Sequence, residues 1–302
     1  MGLLCTYKGR PEITKVTGNR RTISPLIMTM RPKQWAKNLL VFAAPVAAGK
    51  ILDGDTPWKT LLAFVAFCFI SSVGYIVNDI RDLDRDRKNP TKSKRPLASG
   101  KITATQAMYV LALCILLGAT AASFLSFSFQ LVLLLYLAST LSYSFGLKHQ
   151  PVVELMVVAL GFVLRAIGGG AATGTPISRW FLVVTSFGSL VVVVAKRLAE
   201  AESLANADVR PVIRDYPLPF LRFVLAVSAA VTLTGYSLWA FSLPESRHFG
   251  QMSLLPLCLG LFRYVWLVEK GFGEVPEDLL LRDYVLLISG LATAVLLLLS
   301  MY

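Results

Sequence analysis

The sequence has few charged residues and few cysteines. Only 16% of its 302 residues are charged, against about 25% in a typical soluble domain. Apolar residues make up 55% of the chain, and the mean hydropathy is +0.62. The four cysteines are scattered, without the spacing of metal ligands or of a disulfide framework. The composition therefore excludes a soluble globular domain and predicts an all-α polytopic membrane protein.

The chain also lacks acidic residues relative to basic ones, and its net charge is +12. Most of the cations lie in a few loops between apolar runs, so we interpret them as membrane-surface anchors and anion ligands, with no nucleic-acid partner. Residues 1–34 form a basic leader, whose apolar part at 23–30 is expected to lie along the membrane surface. No cleavable signal peptide is expected. Residues 35–302 are expected to form a single transmembrane domain.

Nine runs approach the roughly 20 apolar residues that a membrane-spanning helix needs. They cover residues 35–52, 58–80, 103–124, 128–147, 152–172, 179–198, 219–243, 252–269 and 283–302. The first run is short and contains Pro45 and Lys50, which weakens it. The basic loops alternate with loops poor in Lys and Arg. The positive-inside rule then predicts a cytoplasmic N-terminus, an extracytoplasmic C-terminus and an active site at the cytoplasmic side.

An acidic stretch, NDIRDLDRD at residues 78–86, follows the second run. On a helix, Asp79, Asp82 and Asp86 share one face, with Asn78 beside it and Tyr75 one turn earlier. Three carboxylates on one stripe repel each other unless a cation lies between them. Their hard oxygen atoms favour Mg²⁺, or Mn²⁺, together with substrate phosphates. We interpret the three aspartates as catalytic metal ligands; the alternative is a solvated, charged helix end.

Cations follow the acidic stretch directly and favour a site for a diphosphate. Arg85 lies within the stretch, and the loop after it carries Lys94 and Arg95, which could clamp phosphate oxygens. Lys88 and Lys92 have the same charge, but for them plain anchoring of the loop is the better interpretation.

The sixth run ends in a second polar group, at Lys196, Arg197 and Glu200. We interpret Lys196 and Arg197 as anion ligands. Glu200 either pairs with Lys196 one helical turn away or helps to hold a metal or a hydroxyl group.

Other polar residues lie within or beside the apolar runs. Arg165 is too far from Glu154 for a pair within one helix and needs another partner, for which a bound phosphate is a candidate. Lys37, Tyr143 and Lys148 lie on the same side as the acidic stretch and could line a polar pocket, although Tyr143 is equally typical of an interfacial aromatic belt.

A run of three glycines at residues 168–170 permits close helix packing. It is equally compatible with a contact between subunits, that is, with a homo-oligomer.

The chain resembles the UbiA-type intramembrane prenyltransferases along almost its whole length. The pattern NDxxDxxxD at residues 78–86, the RPL sequence at residues 95–97 and the nine candidate spans carry the resemblance. It implies a first acidic motif that binds Mg²⁺ and a diphosphate. A second Asp-rich motif, usual in the family, is replaced here by KRLAE at residues 196–200.

With this replacement and with RPKQWAKN at residues 31–38, the chain resembles one branch of the family. That branch uses phosphoribosyl pyrophosphate as donor and decaprenyl phosphate as acceptor. The resemblance implies an enzyme of the bacterial plasma membrane that makes a precursor of cell-wall arabinan. One alternative is prenyl transfer to an aromatic acceptor, which requires a second group of carboxylates. Asp208 and Asp215, further along the same loop, could supply it. Another is transport of an anionic lipid, although the chain shows no convincing internal repeat.

Overall fold

The computed structural model describes residues 24–202, 211–243, 248–272, 279 and 282–301. Residues 1–23 of the predicted leader and Asp208 lie outside the described residues. In the described ranges all regular structure is helical, as predicted. The α-helices are α1 (Pro25–Thr29), α2 (Ala43–Ala47), α3 (Thr56–Arg81), α4 (Leu83–Lys88), α5 (Ala104–Ser123), α6 (Phe127–Phe145), α7 (Val153–Thr173), α8 (Arg179–Glu202), α9 (Pro211–Arg214), α10 (Leu218–Phe241), α11 (His248–Met252), α12 (Leu254–Glu269) and α13 (Tyr284–Met301). Three 3₁₀ helices cover Pro32–Phe42, Lys92–Lys94 and Leu147–His149.

Eight helical segments of the described chain are long and apolar enough to cross a membrane, and they coincide with eight of the nine predicted spans. The predicted span at 35–52 is not such a helix. It forms the 3₁₀ helix Pro32–Phe42, followed by the short helix α2. The nine-helix count is therefore not confirmed.

This 3₁₀ segment nevertheless links the two ends of the bundle. Arg31, just before it, contacts Asp79 near the C-terminal end of α3, whereas Gly49, just after α2, packs against Met301 at the end of α13. A 3₁₀ helix rises about 2.0 Å per residue, so fewer residues cover the distance than in an α-helix. The end of the bundle that carries residues 78–86 is called the acidic end below.

The glycine run of α7 packs inside the chain. A Cβ atom on Gly168 would lie 2.5 Å from the Phe67 ring, and one on Gly169 would overlap the carbonyl oxygen of Val41. The backbone of the 3₁₀ helix therefore lies directly on α7, which only a residue without a side chain allows. Of the two interpretations of the run, the structure supports close packing within one chain.

The acidic stretch is not one continuous helix. Helix α3 ends at Arg81, Asp82 forms the junction, and α4 begins at Leu83. Backbone hydrogen bonds from Asp82 to Asn78 (2.9 Å) and from Asp86 to Asp82 (2.7 Å) keep the helical spacing across the junction. The aspartates thus remain at one end of the bundle although two helices carry them.

Candidate active site

Two of the aspartates share arginine partners. Nη1 of Arg95 donates to Oδ1 of Asp79 at 3.0 Å and to Oδ2 of Asp86 at 2.5 Å. Arg31 also donates to Oδ1 of Asp79 and lies 5.1 Å over the Tyr75 ring. Both carboxylates are buried. Because burying carboxylates without partners is costly, the two arginines stabilise this acidic pair.

The third aspartate has a different partner. Nζ of Lys148 lies 2.6 and 2.8 Å from the two carboxylate oxygens of Asp82 and 3.5 Å from Oδ1 of Asn78. Lys148 is itself buried, in the middle of the 3₁₀ helix Leu147–His149 that follows α6. The lysine therefore joins the connection between α6 and α7 to the junction between α3 and α4.

The aspartates thus form two groups rather than the single three-carboxylate stripe of the sequence prediction. In the described part of the chain, no three His, Cys, Asp or Glu side chains converge as ligands of one metal ion. Instead, Nη1 of Arg95 bridges the first group, and Nζ of Lys148 contacts the second. The donor set of carboxylate and amide oxygens still fits Mg²⁺, which takes one or two carboxylates and completes its shell with phosphate oxygens and water.

The acidic end encloses a small cavity of about 170 Å³. Asp82, Asp86 and Asn78 line it, so oxygen ligands face a space that is also surrounded by cations. The charged and histidine side chains in its wall are Arg31, Asp82, Arg85, Asp86, Lys92, Arg95, Lys148 and His149. A cavity lined by both oxygen ligands for a metal and cations for phosphate suits a metal-bound diphosphate.

A larger cavity of about 1110 Å³ adjoins the small one and shares five of its lining residues. These shared residues are Arg31, Tyr75, Arg95, Thr140 and Tyr143. The larger cavity extends between the 3₁₀ helix Pro32–Phe42, α7, α8, α12 and α13, and its wall is mostly apolar. Its cationic lining residues are Arg31, Lys37, Arg95, Arg165, Lys196 and Arg197, and no described carboxylate lines it. This cavity suits an anionic group attached to an apolar tail.

Arg165 has neutral partners only, among the described residues. Its guanidinium donates to Asn38 (2.7 Å), to the carbonyl oxygen of Gly161 (2.7 Å) and to the hydroxyl of Tyr136 (2.6 Å). The side chain is buried within a membrane-spanning helix, as the sequence indicated, and Glu154 is not its partner. It therefore adds an uncompensated positive charge to the wall of the large cavity.

Glu154 pairs with Arg197 instead. The Arg197 guanidinium contacts both carboxylate oxygens of Glu154 at 2.7 and 2.8 Å and one oxygen of Glu200 at 2.7 Å. These bonds engage all three nitrogens of the guanidinium, which argues against the predicted role of Arg197 as an anion ligand. Lys196, 4.0 Å from Glu200, is much more exposed than Arg197 and lines the large cavity. The predicted Lys196–Glu200 pair is thus present, but Arg197 is the closer partner of Glu200.

Three cavity residues were missed or misjudged in the sequence analysis. Lys94, a predicted phosphate ligand, is exposed and lines neither cavity, whereas Lys92, which was assigned to anchoring, lines the small one. Arg31 was counted with the leader, although it contacts Asp79. His149 also lines the small cavity. The RPK sequence at residues 31–33 was the available signal for Arg31, because a cation followed by proline fixes the entry to the next segment.

Residues outside the cavities have simpler roles. Arg263 pairs with Asp283 at 2.8 Å, and this hydrogen bond lowers the pKa of the aspartate. Asp215 is exposed and lines neither cavity.

Comparison with known proteins gives the same picture of the fold and the family. The model of the UbiA prenyltransferase family matches residues 39–299. A decaprenyl-phosphate phosphoribosyltransferase of Mycobacterium tuberculosis is 40% identical over 89% of this chain and 92% of its own length. One of Corynebacterium glutamicum is 37% identical over 97% and 93%. The structure of a UbiA homolog from Archaeoglobus fulgidus bound to DMAPP and Mg²⁺ covers 92% of this chain and 98% of its own, with a TM-score of 0.71 at 18% identity. The chain therefore belongs to the UbiA prenyltransferase family.

Proposed function

We propose that the protein transfers a 5-phosphoribosyl group from phosphoribosyl pyrophosphate to decaprenyl phosphate, or a similar polyprenyl phosphate, and releases pyrophosphate. The observation that carries the proposal is the pair of adjoining cavities. One has carboxylates and cations for a metal-bound diphosphate, and the other has cations at the head of an apolar space. The names of relatives that are 37% and 40% identical over most of their length give the same reaction.

The donor's diphosphate would occupy the small cavity. Asp82 and Asp86, with Asn78, would hold Mg²⁺ against its oxygens, and Asp79 would keep Arg31 and Arg95 in place. The metal supplies Lewis-acid stabilisation of the charge that develops on the leaving pyrophosphate. Mn²⁺ has the same preference for oxygen ligands. Lys148 and Arg85 add positive charge from the cavity wall.

The acceptor's phosphate would lie at the wall that the two cavities share, and its tail would fill the large one. Arg31, Arg95 and Tyr143 at this wall can orient the phosphate toward the ribose carbon that loses pyrophosphate. A lipid phosphate is already an anion near neutral pH, so the attack needs no general base. The apolar wall contributes affinity for the tail by removing it from water.

Remaining cations of the large cavity would hold the donor's 5-phosphate or assist the lipid phosphate. Lys37, Arg165 and Lys196 line this space without a described carboxylate in the lining. Arg197 lines it too, but we assign it to holding Glu154 and Glu200 in position.

Prenyl transfer to an aromatic acceptor is the alternative activity, and the geometry favours it less. Among the described residues, three carboxylates at this end of α8 could contribute to a second metal site. Glu154 and Glu200 are bound by Arg197, and Glu202 is bound by Arg222 at 2.6 Å. The exposed Asp215 lines neither cavity. A second metal-binding group of carboxylates is therefore not formed in this part of the structure.

The protein is a multi-pass membrane protein, with eight candidate spans in the described chain. We infer from the distribution of basic loops that the acidic end faces the cytoplasm of a bacterial plasma membrane and that the C-terminus lies outside. In this orientation the site meets a water-soluble donor from the cytoplasm and a lipid acceptor from the bilayer. The product would be a precursor of cell-wall arabinan.

Replacing Lys196 with alanine is expected to weaken binding of one substrate by about 1.5–3 kcal/mol, the range for a hydrogen bond to a charged group. The Michaelis constants for donor and acceptor measure this effect separately. Lys88→Ala is the matched control, because Lys88 is exposed on α4 and lines neither cavity. Unchanged constants for both substrates would remove Lys196 from the site.

The central test uses purified protein, Mg²⁺, radiolabelled phosphoribosyl pyrophosphate and decaprenyl phosphate. We expect label to enter the organic phase, and EDTA to abolish this transfer until excess Mg²⁺ is restored. A folded sample that moves no label under any of these conditions would contradict the proposal. Transfer from a prenyl diphosphate to an aromatic acceptor would then support the alternative.

A further inference from the structure

We propose that Tyr216 is a positioning residue for Lys148, because its hydroxyl holds the turn through which the lysine reaches Asp82. The contacts that support this are geometric, but their meaning for catalysis rests on the function proposed above. Tyr216 lies outside both cavities, just after α9, and no sequence pattern points to it.

The turn between Lys148 and α7 has an unusual backbone. Val152 has φ 66° and ψ −49°, and the N–H of Val153 donates to the carbonyl oxygen of Pro151 at 2.7 Å. These values define a γ-turn with positive φ, which is rare and strained, above all for a β-branched residue. Such a conformation persists only where the surrounding structure holds it.

The hydroxyl of Tyr216 provides this hold. It accepts a hydrogen bond from the N–H of Val152 at 2.7 Å, and it also interacts with Glu154 in the first turn of α7. Burial raises the pKa of Tyr216 to about 12, so the hydroxyl stays neutral and can both accept and donate. The ring of Tyr216 is buried and lies parallel to that of Phe220, with centroids 6.2 Å apart.

The turn is short enough to transmit this hold to the lysine. Helix α9, directly before Tyr216, packs against the 3₁₀ helix Leu147–His149. Backbone hydrogen bonds from His149 to Gly146 (3.0 Å) and from Gln150 to Leu147 (3.1 Å) make the segment compact. Without the tyrosine hydroxyl, Val152 can relax to negative φ, and the lysine four residues earlier must move relative to Asp82.

The first test needs no substrate. In ligand-free, full-length protein, reductive methylation followed by mass spectrometry measures how fast Lys148 is labelled. Tyr216→Phe keeps the ring and removes the hydroxyl, and it should raise the labelling rate about fivefold, the change in population that one neutral hydrogen bond supports. An unchanged rate would overturn the proposal.

Tyr236→Phe is the matched control. Tyr236 is also buried, and its hydroxyl makes a 2.5 Å hydrogen bond to Ser253 between two helices at the opposite end of the bundle. Its loss should leave the labelling of Lys148 unchanged. An equal increase in both variants would mean general loosening of the bundle and would overturn the assignment to Tyr216.

The second test uses catalysis. Tyr216→Phe should lower kcat/KM for phosphoribosyl pyrophosphate by up to about fivefold, the same change in population, and leave the KM for the lipid acceptor unchanged. In a Lys148→Met background, the same substitution should not lower the residual kcat/KM for phosphoribosyl pyrophosphate further, because the group that it positions is gone. Equal losses in both backgrounds would overturn the proposal. A wild-type protein that transfers no phosphoribosyl group would contradict the proposed function alone, because the labelling result does not depend on it.

Discussion

Asp82→Asn should abolish phosphoribosyl transfer, with a loss of at least about 10²–10³-fold, the range for removing one group that stabilises transition-state charge. The substitution keeps the shape of the side chain but removes its charge. Lys148, which lies 2.6 and 2.8 Å from the two carboxylate oxygens, would lose its ionic partner, and the small cavity would lose a metal ligand. Initial rates with labelled donor, over a range of Mg²⁺ concentrations, measure the effect.

Asp84→Asn is the matched control for this prediction. Asp84 lies on α4, two residues after Asp82. Its side chain is 94% exposed, and its partner Arg87 is 3.7 Å away at the surface. Its replacement should leave transfer within about twofold of wild type, because exposed ion pairs contribute little. Activity of the Asp82→Asn protein equal to that of this control would refute the metal-site proposal.

Gly169→Ala should destabilise the protein by at least about 3 kcal/mol, the upper range for forcing extra atoms into a packed interior. The added Cβ would overlap the carbonyl oxygen of Val41, and a backbone oxygen cannot rotate away as a side chain can. The 3₁₀ helix that carries Lys37 and Asn38 would have to move off α7. Thermal unfolding and the yield of monodisperse protein measure this loss.

Gly161→Ala tests the same change on the same helix without the clash. There a Cβ would meet its nearest atom, Nη1 of Arg165, at 3.5 Å, an ordinary contact. Because alanine has the higher helix propensity by about 1 kcal/mol, this variant should be neutral or slightly more stable. Similar unfolding temperatures for the two variants would contradict the packing argument.

The sequence predicts the long helices well because their signal is local. An apolar run of the right length predicts a span wherever it occurs, and residues 58–80 become Thr56–Arg81. The same signal fails at 35–52, because apolar composition does not distinguish the hydrogen-bond pattern of a 3₁₀ helix from that of an α-helix. The close contact between Val41 and Gly169 explains why this segment lies against α7. These two residues are far apart in sequence, so no local sequence pattern predicts their contact.

The candidate site also has a part that the sequence predicts and a part that it does not. The acidic stretch is recognisable because its residues are neighbours in sequence. Their partners are not: Lys148 is 66 residues from Asp82, and Arg197 is 43 residues from Glu154. For this reason the sequence predicts an anion ligand at Arg197, which instead pairs with Glu154 and Glu200, and it gives no role to Tyr216. Long-range pairing decides which cations face a ligand and which hold the protein together.

Arg31 and Arg95 line both cavities while they bind the acidic pair, so the same two guanidinium groups face the buried carboxylates and both cavities. Any anion that draws these side chains toward one cavity changes the field in the other. With the donor and the acceptor in the two cavities as proposed, their binding free energies would be coupled, and thermodynamic reciprocity requires that each alters the affinity of the other by the same factor. With the donor and the acceptor placed as proposed, a shared wall of this kind would make each substrate an effector of the other.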